Sequence, residues 1–266
     1  MARRLALVTG ASAGLGAAFA RHLASRGFDL ALTARRVDRL NDLADGLRRD
    51  HGIEVVTVAA DLAQAGASEA ILSQIAATGR GVDVLINNAG YGLGGLYADT
   101  TWADQADFIQ VMVTAPCELA HRTLPAMRDQ GYGRIVNVAS VAGLLPAAAG
   151  HTLYAASKAY LIRFSQSLHL EGAAHGVHVS ALCPGFTYTE FHDVNGTREL
   201  ADASTPGWLW LDADRVVADG WRAAEANQSI CTPGLVYKLI TGAARLVPES
   251  LALKLMAGQG GRFRKT

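Results

Sequence analysis

The sequence predicts a doubly wound α/β fold: a parallel sheet with helices covering both faces. Short, nearly continuous apolar runs alternate with stretches of helical periodicity, and the first run passes directly into a glycine-rich turn. Strands that alternate with helices pair in parallel through right-handed crossovers. Strands that lack a polar face fit a sheet buried on both sides.

The first strand is read over Leu5 to Thr9, followed by a helical stretch from Ala17 to Arg26. Phe28 to Thr33 is a second strand, and the next helix, Arg36 to Arg49, places Leu40, Leu43 and Leu47 on one face. Further strands are read at Ile53 to Val58, Val82 to Ile86, Arg134 to Val138 and Val177 to Leu182, with helical stretches between them. No linker composition or internal repeat divides residues 1–266, so a single domain is expected. Irregular chain from 189 to 210 forms a substrate-side segment, and 233–266 forms a helical extension.

The composition of the 266 residues excludes several classes. Half of them are apolar, and 24 basic residues balance 24 acidic ones. Disorder needs low hydrophobicity and high net charge. Nucleic-acid partners call for a basic excess, so none is expected. Cys117, Cys183 and Cys231 lie far apart, and the eight histidines show no zinc spacing, so no metal is expected. No apolar run reaches the length of a signal-peptide core or a membrane span, which predicts a soluble, cytoplasmic protein.

Two constellations carry chemistry. Gly10-Ala-Ser-Ala-Gly14-Leu-Gly16 opens the first helix and lacks the Lys of a P-loop. Such a turn brings backbone N–H groups to a pyrophosphate at a helix N-terminus. The second strand then ends Thr33-Ala34-Arg35-Arg36, where an acid would favour NAD and arginine suits the 2′-phosphate of NADP. Asp38 is the nearest acid and the candidate for an NAD ribose. In the second constellation, Tyr154 and Lys158 stand four residues apart, which places them on one helical face. A nearby ammonium lowers a phenol pKa toward acid–base use. Ser140, directly after the fifth strand, faces the crevice at the carboxyl edge of the sheet.

With Asp61-Leu62, Asn87-Asn-Ala-Gly90 and Pro184-Gly185-x3-Thr189, these motifs resemble the short, single-domain branch of the short-chain dehydrogenase/reductase family over about residues 5 to 232. The resemblance implies a Rossmann-type sheet of seven strands in order 3-2-1-4-5-6-7. It implies hydride transfer between a nicotinamide cofactor and a carbonyl/alcohol pair. Tyr154 would be the acid–base residue, Ser140 would hold the substrate oxygen, and Lys158 would bind the nicotinamide ribose. It implies cofactor contacts from Gly10, Ser12, Gly14, Leu15 and Gly16, from Arg35 and Arg36, and from Asp61 and Leu62 near the adenine. Asn87 to Gly90, including Asn88 and Ala89, would lie beside the adenosine ribose. Pro184, Gly185, Thr187 and Thr189 would sit toward the carboxamide. NADP(H) is therefore expected over NAD(H).

One position departs from the family pattern. The relay asparagine expected in the helix before the fifth strand falls on Met112. The family's relay water is held largely by that residue's main-chain carbonyl, which methionine retains. The expected activity is a carbonyl reductase or alcohol dehydrogenase for a hydrophobic ketone, aldehyde or secondary alcohol. The alternative is an NADP-binding regulatory or scaffold protein whose catalysis is weakened by Met112. Tyr91 to Leu96, Leu144 to Pro146, Phe186 to Tyr188 and the segment from Glu190 to Trp210 are expected to wall the pocket, with His151 beside it. Leu239, Leu246, Leu251 and Leu255 are expected to pack on the domain or on a partner subunit of a homodimer or homotetramer.

Overall fold

Alternate residues of the first strand belong to two different cores. Leu5 and Leu7 pack on one side of the sheet and Ala6 and Val8 on the other, because side chains along a strand point to opposite faces. The computed structural model describes residues 3–147, 149–150, 152–190 and 205–257. Its strands are β1 (Leu5–Thr9), β2 (Asp29–Ala34), β3 (Val55–Ala59), β4 (Val84–Asn87), β5 (Gly133–Val138), β6 (Val177–Leu182) and β7 (Ile230–Cys231). They pair in the order β3-β2-β1-β4-β5-β6-β7, parallel throughout. The order implied by the family resemblance is the order observed. The seventh strand is two residues long, too short to leave a periodic signal in the sequence.

The helices are α1 (Gly14–Ser25), α2 (Val37–His51), α3 (Ala67–Ala76), α4 (Trp102–Ile109), α5 (Ala115–Asp129), α6 (Thr152–Gly172), α7 (Ala213–Glu225), α8 (Leu235–Ala244) and α9 (Glu249–Ala257). Phe19 and Leu23 of α1, Leu40 and Leu47 of α2, and Trp221 of α7 fill one core. Ile71 and Ile75 of α3 and Leu119 and Met127 of α5 fill the other, with Phe164 and Leu168 of α6 packed against it. A π-helical turn, Gln110–Thr114, joins α4 to α5 and contains Met112. Such turns recur at functional sites.

Of the two packings expected for the C-terminal leucines, the one on their own domain is not seen among those described. Tyr237 and Thr241 face the body of the protein, whereas Leu239, Leu246 and Leu251 point outward, Leu246 being 86% exposed. Leu235 and Leu239 of α8 therefore face away from their own domain, while Tyr237 docks the helix through both its ring and its hydroxyl. Residues 191–204 and His151, together with the side chain of Leu255, lie outside the described residues. No described helix is long and apolar enough to cross a membrane.

The chain after β5 makes a 3₁₀ turn, Val141–Gly143, against α6. A Cβ on Gly143 would fall 2.6 Å from the main-chain N of Ala159 and the carbonyl carbon of Lys158, so only glycine permits this approach. Gly143→Ala should cost about 1–3 kcal/mol of stability by overpacking. It should also reduce turnover, as judged by denaturant unfolding and steady-state rates.

Candidate active site

All seven strands end at one edge of the sheet, and the glycine turn after β1 is tightly constrained there. Gly10 and Gly14 have φ of 64° and 54°, a region that favours glycine. A Cβ on Gly16 would collide with the carbonyl oxygen of Gly10, so α1 packs directly against the turn. Ala13 caps α1 without a side-chain hydrogen bond, and the first turn carries no acid. The leading N–H groups of α1, those of Gly14, Leu15 and Gly16, thus have no capping side chain, an arrangement suited to an anion. These glycines and the uncapped helix fit a dinucleotide pyrophosphate.

Neighbouring connections buttress the turn. Asn88 Nδ2 donates to the carbonyl oxygens of Thr9 at 2.9 Å and Gly10 at 3.3 Å. Thr9 Oγ1 accepts from the N–H groups of Asn88 and Ala89 at 2.9 and 3.0 Å. Gly90 follows at the surface, with no room for a Cβ beside Met112 Sδ. Asn87 does not reach the cleft as expected. Its side chain is buried and donates to Asn137 Oδ1 at 2.9 Å and to the Pro116 carbonyl at 3.2 Å. The strand alternation that turns Asn88 toward the turn aims Asn87 into the sheet. After β3, Leu62 is buried and Asp61 accepts from Ala63 N at 3.1 Å, leaving the Asp61 carboxylate half-buried at the edge.

The arginines at the end of β2 take different directions. Arg36 donates from Nε and Nη2 to Ser12 Oγ at 3.3 Å, directly over the glycine turn. Arg35 lies near enough to Tyr91 for its charge to oppose the rise that burial gives that phenol's pKa. Arg39, which the sequence reading passed over, joins Arg36 at Glu190.

Ser140 and Tyr154 meet at the end of β5. Ser140 Oγ accepts from Ala142 N at 3.1 Å and makes a side-chain hydrogen bond with Tyr154. Lys158, 6% exposed, donates from Nζ to the Val138 carbonyl at 2.7 Å and stands 5.7 Å from the centre of the Tyr154 ring. Burial pushes the lysine pKa down to about 8. Burial also raises the Tyr154 pKa, with the Ser140 hydrogen bond opposing it. The expected lowering of the phenol pKa involves the nicotinamide ring as well as Lys158, and in the protein alone burial sets the direction. Desolvation exceeds every other influence on both groups.

A cavity of about 10 Å³ lies beneath Lys158, lined by Asn87, Met112, Pro116 and Val138 among others, and is about the size of one water. Asn87 Oδ1 is buried there without a hydrogen-bond partner. On the other side of Tyr154, Leu93, Gly95, Tyr97, Phe108 and Leu153 line a second small cavity with Thr100 and Gln105. Leu93 falls within the expected pocket walls, whereas the α4 residues Gln105 and Phe108 were missed. No spacing signal marks residues that meet only through a helix crossing.

The Pro184–Thr189 segment is held from both sides. Pro184 O accepts from Val141 N at 3.0 Å, tying it to the Ser140 turn. The Tyr237 ring of α8 occupies the space a Gly185 side chain would need. Tyr237 Oη accepts from Phe186 N at 3.0 Å and donates to Leu209 O at 2.8 Å. Trp210 packs between Phe186 and Tyr188, the latter ring stacked at 4.9 Å. Thr187 is buried with its hydroxyl on the Gly185 carbonyl, while Thr189 lies over Gly14, 3.3 Å from where a Cβ would stand. Nothing in the sequence flagged Tyr237, which lies 51 residues beyond its partner Phe186.

The model of the short chain dehydrogenase family matches residues 4–199. The chain is 33% identical over 207 residues to a very-long-chain 3-oxoacyl-CoA reductase of Anas platyrhynchos, covering 76% of this chain and 64% of that relative. A short-chain dehydrogenase from Sphingobium yanoikuyae in complex with NADPH superposes with a TM-score of 0.80 at 32% identity, covering 91% and 94% of the two chains. A short-chain dehydrogenase/reductase from Burkholderia phymatum in complex with NAD gives 0.81 at 29%, covering 95% of each. The protein belongs to the short-chain dehydrogenase/reductase family, oxidoreductases that act on carbonyl and alcohol groups with a nicotinamide cofactor.

The buried lysine has a measurable signature. Its pKa is lowered on folding, so between about pH 8 and the unfolded value the unfolded chain holds the extra proton. Relative to Lys158→Met, the wild type should therefore gain stability as pH rises from 8 to 10.5. Below pH 8 the difference between the two should be constant, which paired thermal melts across pH would show.

Proposed function

We propose that this protein is an NADP(H)-dependent carbonyl reductase or alcohol dehydrogenase acting on a hydrophobic ketone, aldehyde or secondary alcohol. The hydrogen-bonded Ser140–Tyr154 pair beside Lys158, opening on the same edge as the uncapped N-terminus of α1, carries the reading. Bound NADPH supplies a hydride from C4 of its nicotinamide. Ser140 Oγ hydrogen-bonds the substrate carbonyl oxygen, and Tyr154 Oη delivers the proton to that oxygen as negative charge develops on it. Lys158 Nζ, fixed on Val138 O, holds the nicotinamide ribose and replenishes the Tyr154 proton through the water-sized cavity beneath it.

Three features support the finer points. Arg36 over Ser12 offers the 2′-phosphate a planar guanidinium, which supports NADP(H), with Arg35 as its neighbour. Leu93, Phe108 and Leu153 beside Tyr154, together with the acyl ketone named in the avian relative, support an apolar substrate. Exposed Trp102 and Tyr160 support a homodimer or homotetramer, and the absence of a membrane-crossing helix among the described residues fits a cytoplasmic setting. The remaining cofactor contacts are those from Gly10 to Gly16, from Asp61 and Leu62, from Asn88 to Gly90, and from Pro184, Gly185, Thr187 and Thr189.

The scaffold alternative rests on Met112. Met112 fills the space beside Gly90 and leaves the neighbouring cavity open, so a water held on main-chain carbonyls preserves the relay. Tyr154→Phe should cut turnover by about 10²–10⁴-fold and leave NADPH binding nearly unchanged. A panel of aldehydes, ketones and acyl carbonyls, run in parallel with NADPH and NADH, tests this; no turnover of any of them by the wild type would favour the scaffold. Met112→Asn should change kcat by less than about threefold, and a tenfold rise would show an impaired relay.

A further inference from the structure

We infer that Glu190 is an internal competitor for the 2′-phosphate of NADP(H), and that Arg39 is a further arginine of the phosphate site. The inference rests on the NADP(H) reading above. Glu190 Oε1 and Oε2 accept from Arg39 Nη1 at 2.7 and 2.8 Å, and Oε2 accepts from Arg36 Nη1 at 3.1 Å. Arg36 at the same time spans to Ser12 Oγ in the glycine turn. One carboxylate therefore gathers two guanidinium groups at the end of β2, where the 2′-phosphate would arrive.

A second observation shows why an anion belongs there. Arg36 is the N-cap of α2 and Arg39 lies three residues on, within the first turn, so both cations lie at the positive end of the helix dipole. Asp38 is the one acid in that first turn, and no side chain caps the helix. Glu190 reaches across more than 150 residues to supply negative charge, and Arg39 and then Arg36 hold its carboxyl below the usual carboxylate range. A phosphate monoester carries more charge than a carboxylate and has three acceptor oxygens for the same guanidinium forks. NADP(H) thus exchanges one anion for a stronger one. NADH brings no group that can replace Glu190, so the pair stays closed when it binds. Both side chains are substantially exposed, which keeps the exchange at the modest scale of surface ion pairs.

Glu190→Gln keeps the shape and removes the charge. Dissociation constants for NADPH, NADH and 2′,5′-ADP, measured by fluorescence titration of the whole protein, test the inference. Glu190→Gln should bind NADPH and 2′,5′-ADP about fivefold more tightly while NADH changes by less than about twofold. Arg39→Ala should weaken NADPH and 2′,5′-ADP by about the same factor. Unchanged or weaker NADPH binding in Glu190→Gln overturns the inference, as do all three ligands shifting together. If the wild type binds NADH as well as NADPH, the cofactor reading fails and the inference with it. If the wild type prefers NADPH and Glu190→Gln leaves that preference where it was, the inference alone fails.

Discussion

Parallel pairing of seven strands requires every connection to cross a face of the sheet before it returns, so both faces are covered and all strands end at one edge. Backbone groups at that edge lack a further strand, and helix N-termini converge on it. The glycine turn after β1, Ser140 after β5 and the Pro184–Thr189 segment after β6 come from distant parts of the chain. They meet because the sheet leaves them nowhere else to go. Cores on the two faces hold the strands in register, and the edge itself is assembled from loops.

Within that frame, the strongest local constraint is the burial of Lys158. A lysine with its ammonium against Val138 O, 6% exposed, is held in its neutral-favouring environment by packing rather than by any counterion. Tyr154 experiences the same desolvation in the opposite sense, since its charged form is the anion. Burial thus favours the uncharged form of both groups: it brings the lysine pKa closer to neutral pH and carries the tyrosine pKa further above it. Beneath them, Asn87, Asn137 and Ser165 form a buried chain of hydrogen bonds that ties β4 and β5 to α6. An unsatisfied oxygen there would be costly, and the adjoining water-sized cavity is the natural place for its partner.

Charge is distributed locally, although the whole chain is neutral. Arg36, Arg39 and Glu190 form a compact network beside the glycine turn, while Phe186, Trp210 and Tyr188 form an aromatic cluster around the segment after β6. Tyr237 joins the two regimes. Its ring fills the space over Gly185 and its hydroxyl bridges Phe186 and Leu209, so the C-terminal extension acts as a brace for the cleft. Leu235 and Leu239 of α8 and Leu251 and Leu253 of α9 point away from the domain that Tyr237 grips.

The sequence by itself determined six of the seven strands, the helices between them, the glycine turn and the Ser140, Tyr154 and Lys158 set. Each of these is a local pattern: an apolar run buried on both faces, a positive-φ glycine, or a spacing of four on one helical face. The motif order carried the strand order through its resemblance to a family. Only the tertiary structure decided that Asn87 faces inward and that α8 turns its leucines outward. It alone brought Arg39 to Glu190 and laid Tyr237 over Gly185. It alone made Lys158 and Tyr154 respond to burial before they respond to each other. These outcomes depend on contacts between residues tens to more than a hundred positions apart and on solvent exclusion. Neither quantity is encoded in the spacing of neighbouring residues.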